Sequence, residues 1–186
     1  MSKYPQLAIY LLLVFIYSIE IAHGVEVIHS KSSNDGNTYY VSLEIQIDGP
    51  PDKVMKKLVD YEKMEELNSS IKESTVLLKH DGHDARVRQV LNTCFLFVCA
   101  EKVLVQDYIT WPNALEATMV PEQSNFKDGW SHWRVVPKNG GSRVFFEGSL
   151  TPDFLIPPLF GAIIFKVKIE QEAIKTYKAI EKSIKK

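Results

Sequence analysis

The spacing of hydrophobic residues predicts a strand followed by a short helix early in the chain. In residues 38–47 apolar and polar side chains alternate, which is typical of a strand with one buried face. After Asp52, apolar residues recur at helical spacing in the segment VMKKLVDYEKMEEL, residues 54–67. The pattern therefore begins with one strand and one amphipathic helix.

Six further strands are predicted. Each is a segment in which apolar and polar residues alternate, and turn-forming residues separate one segment from the next. They are expected at residues 71–79, 86–94, 99–109, 114–120, 129–136 and 143–150. The clearest turn is Asn139-Gly140, because both residues accept the positive φ of a two-residue hairpin. That turn fixes a register in which the facing pairs are Val135 with Val144, Trp133 with Phe146, and His132 with Glu147.

A long helix is predicted at the end of the chain, over residues 159–185. Its second half carries one apolar stripe, formed by Ile169, Ala173, Tyr177, Ile180 and Ile184. Its first half is apolar on every side. Antiparallel strands with helices segregated to one face define an α+β fold, here a curved sheet against a C-terminal helix.

The N-terminus has the pattern of a secretory signal. The segment from Ala8 to Ile19 contains no charge, Lys3 precedes it, and Ala22-His23-Gly24 supplies small residues for cleavage before Val25. Residues 1–24 are therefore expected to be removed, which leaves a domain of residues 25–186 that is secreted or periplasmic. The alternative is an uncleaved N-terminal membrane anchor, although the apolar segment is shorter than a spanning helix needs.

The two cysteines are expected to face each other near the tip of a hairpin. When Cys94 faces Cys99, Arg86 faces Asp107, so the register places opposite charges together. In an oxidising compartment the two thiols would form a disulfide and stiffen the tip. The alternative is a pair of free thiols packed as small hydrophobic groups. The tip itself consists of Phe95, Leu96, Phe97 and Val98.

Composition excludes several classes of function. The chain has 186 residues and a formal net charge of -1, which fits one domain and does not fit a strongly basic nucleic-acid binder. The segment His80-Asp81-Gly82-His83-Asp84 resembles a metal site, but Asp-Gly in a hairpin turn explains it. We expect no metal, no cofactor and no nucleic-acid partner.

The layout resembles the START-like superfamily, which includes the polyketide cyclase and Coq10-type (SRPBCC) proteins. The resemblance rests on Pro50-Pro51 before the first helix, the segment GWSHWRVVPKNGGSRVFFEGSLTPDFLIPP, and the closing helix. It is strongest for exported bacterial members. It implies a helix-grip fold with a deep cavity for a hydrophobic small molecule, as in carriers of lipids and quinones, hormone receptors and a minority of enzymes.

The leading hypothesis is binding, and possible transport, of a hydrophobic molecule or lipid beneath the C-terminal helix. The residues expected to line the site are Trp130, Phe146, Phe154, Leu155, Phe160, Ile163 and Val167. If the inward-facing side of this strand is the opposite one, Trp133 would line the site in place of Trp130. The tip Phe95–Val98 and the apolar segments 154–156 and 159–165 would form a rim where a lipid enters or a bilayer is touched transiently. The alternative is that these segments pack on one another.

The sequence is also compatible with two functions other than binding. A cyclase or hydrolase would use the pair His132 and Glu147 with Arg134 as its catalytic group. That hypothesis requires the pair to face the cavity. A third possibility is a module that docks on a membrane complex through the tip.

Overall fold

Eight strands form one antiparallel sheet. The computed structural model describes residues 24–79, 85–95, 98–154 and 161–185. The strands are β1 (Glu26–Asp35), β2 (Thr38–Ile47), β3 (Ile71–Lys79), β4 (Ala85–Phe95), β5 (Val98–Trp111), β6 (Ala114–Met119), β7 (Phe126–Lys138) and β8 (Gly141–Pro152). Their order across the sheet is β1-β2-β8-β7-β6-β5-β4-β3. The last strand of the chain therefore lies inside the sheet, third from one edge and between β2 and β7, and β1 and β3 form the edges.

The helices are α1 (Pro51–Leu58), α2 (Met64–Leu67) and α3 (Gly161–Ile184), with short 3₁₀ turns at Tyr61–Lys63 and Pro121–Gln123. Pro51 begins α1, where its missing N–H costs nothing. The single helix predicted over residues 54–67 is wrong. Asp60 has φ -81° and ψ 65°, which is not helical, so the segment divides into α1 and α2 with a 3₁₀ turn between them.

Strand β1 was not predicted from the sequence. Its residues are EVIHSKSSND, and most of its side chains are exposed because it lies at the edge of the sheet. An edge strand whose side chains are mostly exposed carries little hydrophobic alternation, so its sequence has the polar composition of a loop.

The hairpin registers are as predicted. Asn139 has φ 51° and Gly140 has φ 75°, and the β7–β8 pairs include His132 with Glu147. In the β4–β5 hairpin, Cys94 pairs with Cys99 and Arg86 with Asp107. The Arg86 Nε lies 2.6 Å from Asp107 Oδ1. The backbone thus brings the cysteines opposite each other, while the disulfide itself stays a prediction.

The core lies between one face of the sheet and the helices. This inner face carries Leu43, Ile45, Val87, Val135 and Val144, which are almost fully buried together with Val54 of α1 and Ile180 of α3. We call the opposite surface of the sheet the outer face. The predicted α+β class, with a curved antiparallel sheet and a long C-terminal helix, is confirmed.

Several predicted features lie outside the described residues. They are the export signal, the segment 80–84, Leu96, Phe97 and residues 155–160, together with the side chains of Phe95 and Val98. The domain boundary near Gly24 and the membrane rim therefore stay predictions.

Candidate functional site

The inner face carries an aromatic pair in the middle of the sheet. Trp133 of β7 and Phe146 of β8 are directly opposite each other, with ring centroids 5.0 Å apart. From α3, the Tyr177 hydroxyl lies near the Trp133 side chain, whose indole N–H can donate a hydrogen bond to it. Burial raises the pKa of Tyr177, and the indole hydrogen bond only partly opposes this, so the phenol is neutral at physiological pH. These contacts hold the second half of α3 over the aromatic pair.

One row across the inner face consists of small side chains. Gly148 of β8 faces Ser131 of β7, and Ser131 faces Ala117 of β6. The neighbouring row, nearer to the β7–β8 turn, carries Phe146 and Trp133. From one row to the next the side chains therefore change from large aromatic to small, and the tip of the Phe146 ring leans toward Gly148, 3.4 Å from where a Cβ would stand.

Neutral hydrogen-bonding groups line the inner face toward β4 and β5. Tyr61 and Tyr108 have ring centroids 4.7 Å apart, and the Tyr108 hydroxyl donates to Gln106 Oε1 at 3.0 Å. The Tyr61 hydroxyl lies 3.1 Å from Thr110 Oγ1. Burial, with a smaller contribution from Tyr61, raises the pKa of Tyr108, so this phenol keeps its proton. The wall is therefore polar here without being charged.

Phe154 lies at the end of β8, where it contacts two other strands. Its ring centroid is 5.6 Å from that of Phe126 in β7, in an edge-to-face arrangement. The Lys102 ammonium of β5 lies 4.4 Å from the Phe154 centroid, within cation–π range. Phe154 is half-buried, as expected of a residue at the margin of an apolar region.

The two halves of α3 differ in how well the protein covers them. Ile163 and Glu181 are eighteen residues apart, which is five helical turns, so their side chains leave the helix in the same direction. Glu181 is 7% exposed, whereas Ile163 is 64% exposed. Val167, about one turn after Ile163, is 45% exposed. The side of α3 that packs on the domain in its second half is thus open in its first half.

Of the residues predicted to line the site, Trp130 is misplaced. It is 44% exposed and lies on the outer face, because it is separated from the inward-facing Trp133 by an odd number of residues along β7. Trp133 takes its place beside Phe146. Phe146 and Phe154, which are also predicted to line the site, are both at least half-buried. Leu155 and Phe160 lie outside the described residues.

The predicted catalytic group also lies on the outer face. His132 and Glu147 are directly opposite, as expected, but they share the outward parity of Trp130, and Glu147 is exposed. His132 Nε2 is 4.0 Å from Glu116 Oε1, and the Arg134 guanidinium lies 4.6 Å from the Phe145 centroid. These groups cannot act on a molecule bound at the inner face, so the requirement of the enzyme hypothesis is not met.

Sequence reasoning missed most of the inner polar residues. Gln89, Gln106 and Ser74 each have at least one polar neighbour in the sequence, so alternation within one strand does not reveal that they face inward. Only the paired registers of β3, β4 and β5 reveal that these residues share the inner face.

The part of the chain that the structure describes holds no cluster of three or more His, Cys, Asp or Glu side chains placed to bind a metal ion. Within the same ranges, no helix has both the length and the apolar character required to cross a bilayer.

The fold and the inner face define a START-like helix-grip protein. The family model described as "Polyketide cyclase / dehydrase and lipid transport" matches residues 40–174, and the chain belongs to this family. A search of curated proteins gives no significant match.

Solved structures share the fold at low sequence identity. A STAR-related lipid transfer protein fragment from Xanthomonas axonopodis has a TM-score of 0.66 and 15% identity, over 89% of this chain and 96% of that one. The ZhuI aromatase/cyclase from Streptomyces sp. R1128 has a TM-score of 0.66 and 10% identity, over 80% and 94%. A START superfamily protein from Mycobacterium smegmatis has a TM-score of 0.60 and 16% identity, over 78% and 97%.

Proposed function

We propose that the protein binds a hydrophobic small molecule or lipid between the inner face of the sheet and the first half of α3. The family and the lipid transfer and START proteins of the same fold support binding of this kind. The observation that carries the proposal is the contrast within α3, where Ile163 is 64% exposed at the helical angle at which Glu181 is buried.

The chemistry of the inner face fits such a ligand. Trp133 and Phe146 offer apolar rings, and the row beside them, Gly148, Ser131 and Ala117, carries only small side chains. A ligand covering these rings and the exposed apolar side chains of α3 would be stabilised by about 25 cal/mol for each Å² of apolar surface removed from water. Affinity would thus come from burial, with polar groups fixing the orientation.

The test is to identify what the purified full-length protein carries. The protein is expressed in two unrelated hosts, extracted with organic solvent, and the extract is analysed by mass spectrometry. We expect a hydrophobic molecule at near-stoichiometric amount, or, after delipidation, saturable binding of a fluorescent fatty-acid probe. A protein that is empty from both hosts and does not bind the probe would contradict the proposal.

A pair of variants ties the binding to the inner face. Ser131→Leu adds bulk to the row of small residues, whereas Ser149→Leu adds the same bulk on the outer face, opposite Trp130. We expect Ser131→Leu to reduce the bound amount several-fold and Ser149→Leu to leave it unchanged. Thermal unfolding followed by circular dichroism checks that both variants fold, and equal loss in both would argue against the inner face.

We further propose that the chain is exported, and that Cys94 and Cys99 then form a disulfide. Support comes from the charge-free segment after Lys3 and from the strand register that pairs the two cysteines. Intact mass before and after reduction, with alkylation of free thiols, reports both the cleavage near Gly24 and the disulfide. Two alkylated thiols without reduction would contradict the disulfide.

A further inference from the structure

We propose that the bound molecule is uncharged and carries a carbonyl or hydroxyl group, which a polar patch of Ser74, Gln89 and Gln106 binds. This assignment rests on the proposed function and specifies its ligand class. The patch lies on the inner face at the β3–β4–β5 side of the sheet, away from Trp133 and Phe146.

Strand register places the three side chains next to one another. Ser74 of β3 is directly opposite Gln89 of β4. On the other side, Val87 of β4 is opposite Gln106 of β5, and Gln89 is opposite Leu104, so Gln89 and Gln106 are diagonal neighbours. Diagonal pairs of this kind remain within reach of long side chains. The three therefore form one continuous patch.

These polar groups are buried, yet they have unused hydrogen-bonding capacity. Gln89 and Gln106 are each 8% exposed, and the Ser74 hydroxyl is buried with no hydrogen-bond partner among the described residues. Gln106 accepts from Tyr108 through Oε1, which leaves its NH₂ group to donate elsewhere. Within the same described ranges, the Gln89 amide makes no hydrogen bond.

Buried polar groups in folded proteins nearly always have partners, so the unsatisfied Ser74 hydroxyl beside two buried glutamine amides calls for a specific explanation. A ligand oxygen would supply it. A carbonyl oxygen could accept from the glutamine NH₂ groups, and a hydroxyl could also donate to the Gln89 carbonyl or to Ser74. Either group satisfies the patch without adding charge to the interior.

The absence of opposite charge at the patch favours a neutral ligand group. A buried carboxylate or phosphate needs a paired cation, and the patch contains only amides and hydroxyls. Lys102 is the nearest inward-facing charge in the described part of the sheet, opposite Leu91 and one pair beyond Gln89. Its ammonium lies over the Phe154 ring. A carboxylate ligand would therefore depend on Lys102 and not on the glutamines.

Three probes of equal chain length separate these cases: hexadecanol, hexadecanoic acid and hexadecane. Binding to delipidated full-length protein is measured by displacement of a fluorescent hydrophobic probe. We expect hexadecanol to bind about tenfold more tightly than hexadecane, which is the effect of roughly one net hydrogen bond. Gln89→Leu should remove this difference by weakening the binding of hexadecanol, because leucine offers no hydrogen bond.

The control is Gln171→Leu, the same substitution at an exposed position on α3, which should keep the preference for hexadecanol. Ser74→Ala is a milder second variant in case Gln89→Leu does not fold, and it should reduce the preference several-fold. Equal binding of all three probes would overturn the assignment and leave the proposed function intact. The assignment would also be overturned if hexadecanoic acid bound most tightly of the three probes and Lys102→Met abolished that binding. If no probe binds, both the proposed function and this assignment fail.

Discussion

The two halves of α3 have similar apolar content but different surroundings. In the second half, Tyr177 and Ile180 are buried against the sheet, and Lys185, just after the helix, lies 2.9 Å from Asp48 at the end of β2. In the first half, Ile163 and Val167 are exposed. The difference shows that one end of α3 is fixed to the domain, while the other presents apolar side chains that the described part of the protein does not cover. We interpret the first half of α3 as the part of the helix that contacts the proposed ligand.

The largest expected effect is a difference in stability between two variants, each of which truncates one isoleucine in a different half of α3. Ile180 is fully buried, so Ile180→Ala should lower the free energy of unfolding by about 2–5 kcal/mol, through lost burial and the cavity left behind. Ile163→Ala should change it by no more than about 0.5 kcal/mol, because an exposed side chain loses little. Urea unfolding of both variants, with the delipidated protein, provides the comparison. Equal losses would show that the first half is packed as firmly as the second.

A smaller effect is expected from Tyr177→Phe, which keeps the ring and removes the hydroxyl. The Trp133 indole would lose its hydrogen-bond partner, at a cost of about 1 kcal/mol in the free energy of unfolding. The tryptophan emission spectrum should shift as well, since the environment of a buried indole changes. Trp130→Phe, on the outer face, serves as the control for the contribution of the exposed indole. An unchanged stability in Tyr177→Phe would mean that this contact does not anchor the helix.

The smallest effect concerns Glu172, which lies between the two halves. Burial raises the pKa of this carboxyl, but the hydrogen bond from the Lys175 ammonium, at 2.9 Å, together with the positive charges of Lys175 and Lys168, outweighs burial, so the pKa is lowered overall. A lowered pKa in the folded protein stabilises it above the pKa of the unfolded chain, about 4.3, and this stabilisation is lost as the pH falls through the folded value. Glu172→Gln should therefore show a shallower loss of stability between pH 6 and pH 3, as followed by thermal unfolding at several pH values. An identical slope in both proteins would contradict this contribution.

Much of the sheet was predictable because its hairpins carry strong local signals. Asn139-Gly140 fixes the β7–β8 register, and the cysteine pair together with Arg86 and Asp107 gives the β4–β5 register correctly. Strand β1 was not predictable in this way, because an exposed edge strand does not need hydrophobic alternation. The break between α1 and α2 at Asp60 was also missed, because the apolar spacing continues across it.

The site was less predictable than the fold. Trp130 and Trp133 lie in the same strand with opposite parity, and only the burial of neighbours such as Val135 decides which one faces inward. Likewise, the pairing of His132 with Glu147 was correct, but a correct pair can lie on either face of a sheet. Which face is covered depends on α3, whose contacts are set by residues far away in the chain.

The position of β8 between β2 and β7 constrains how the polypeptide acquires its structure during synthesis. The β1–β2 hairpin leaves the ribosome early, yet β2 can join the sheet only after residues 141–152 have been made. Pairing between such distant segments is slow, and until it occurs both β2 and β7 present open edges that other chains can join. A translation product that stops before Gly141 would thus hold two unmatched edges, and we expect it to aggregate or to need a chaperone.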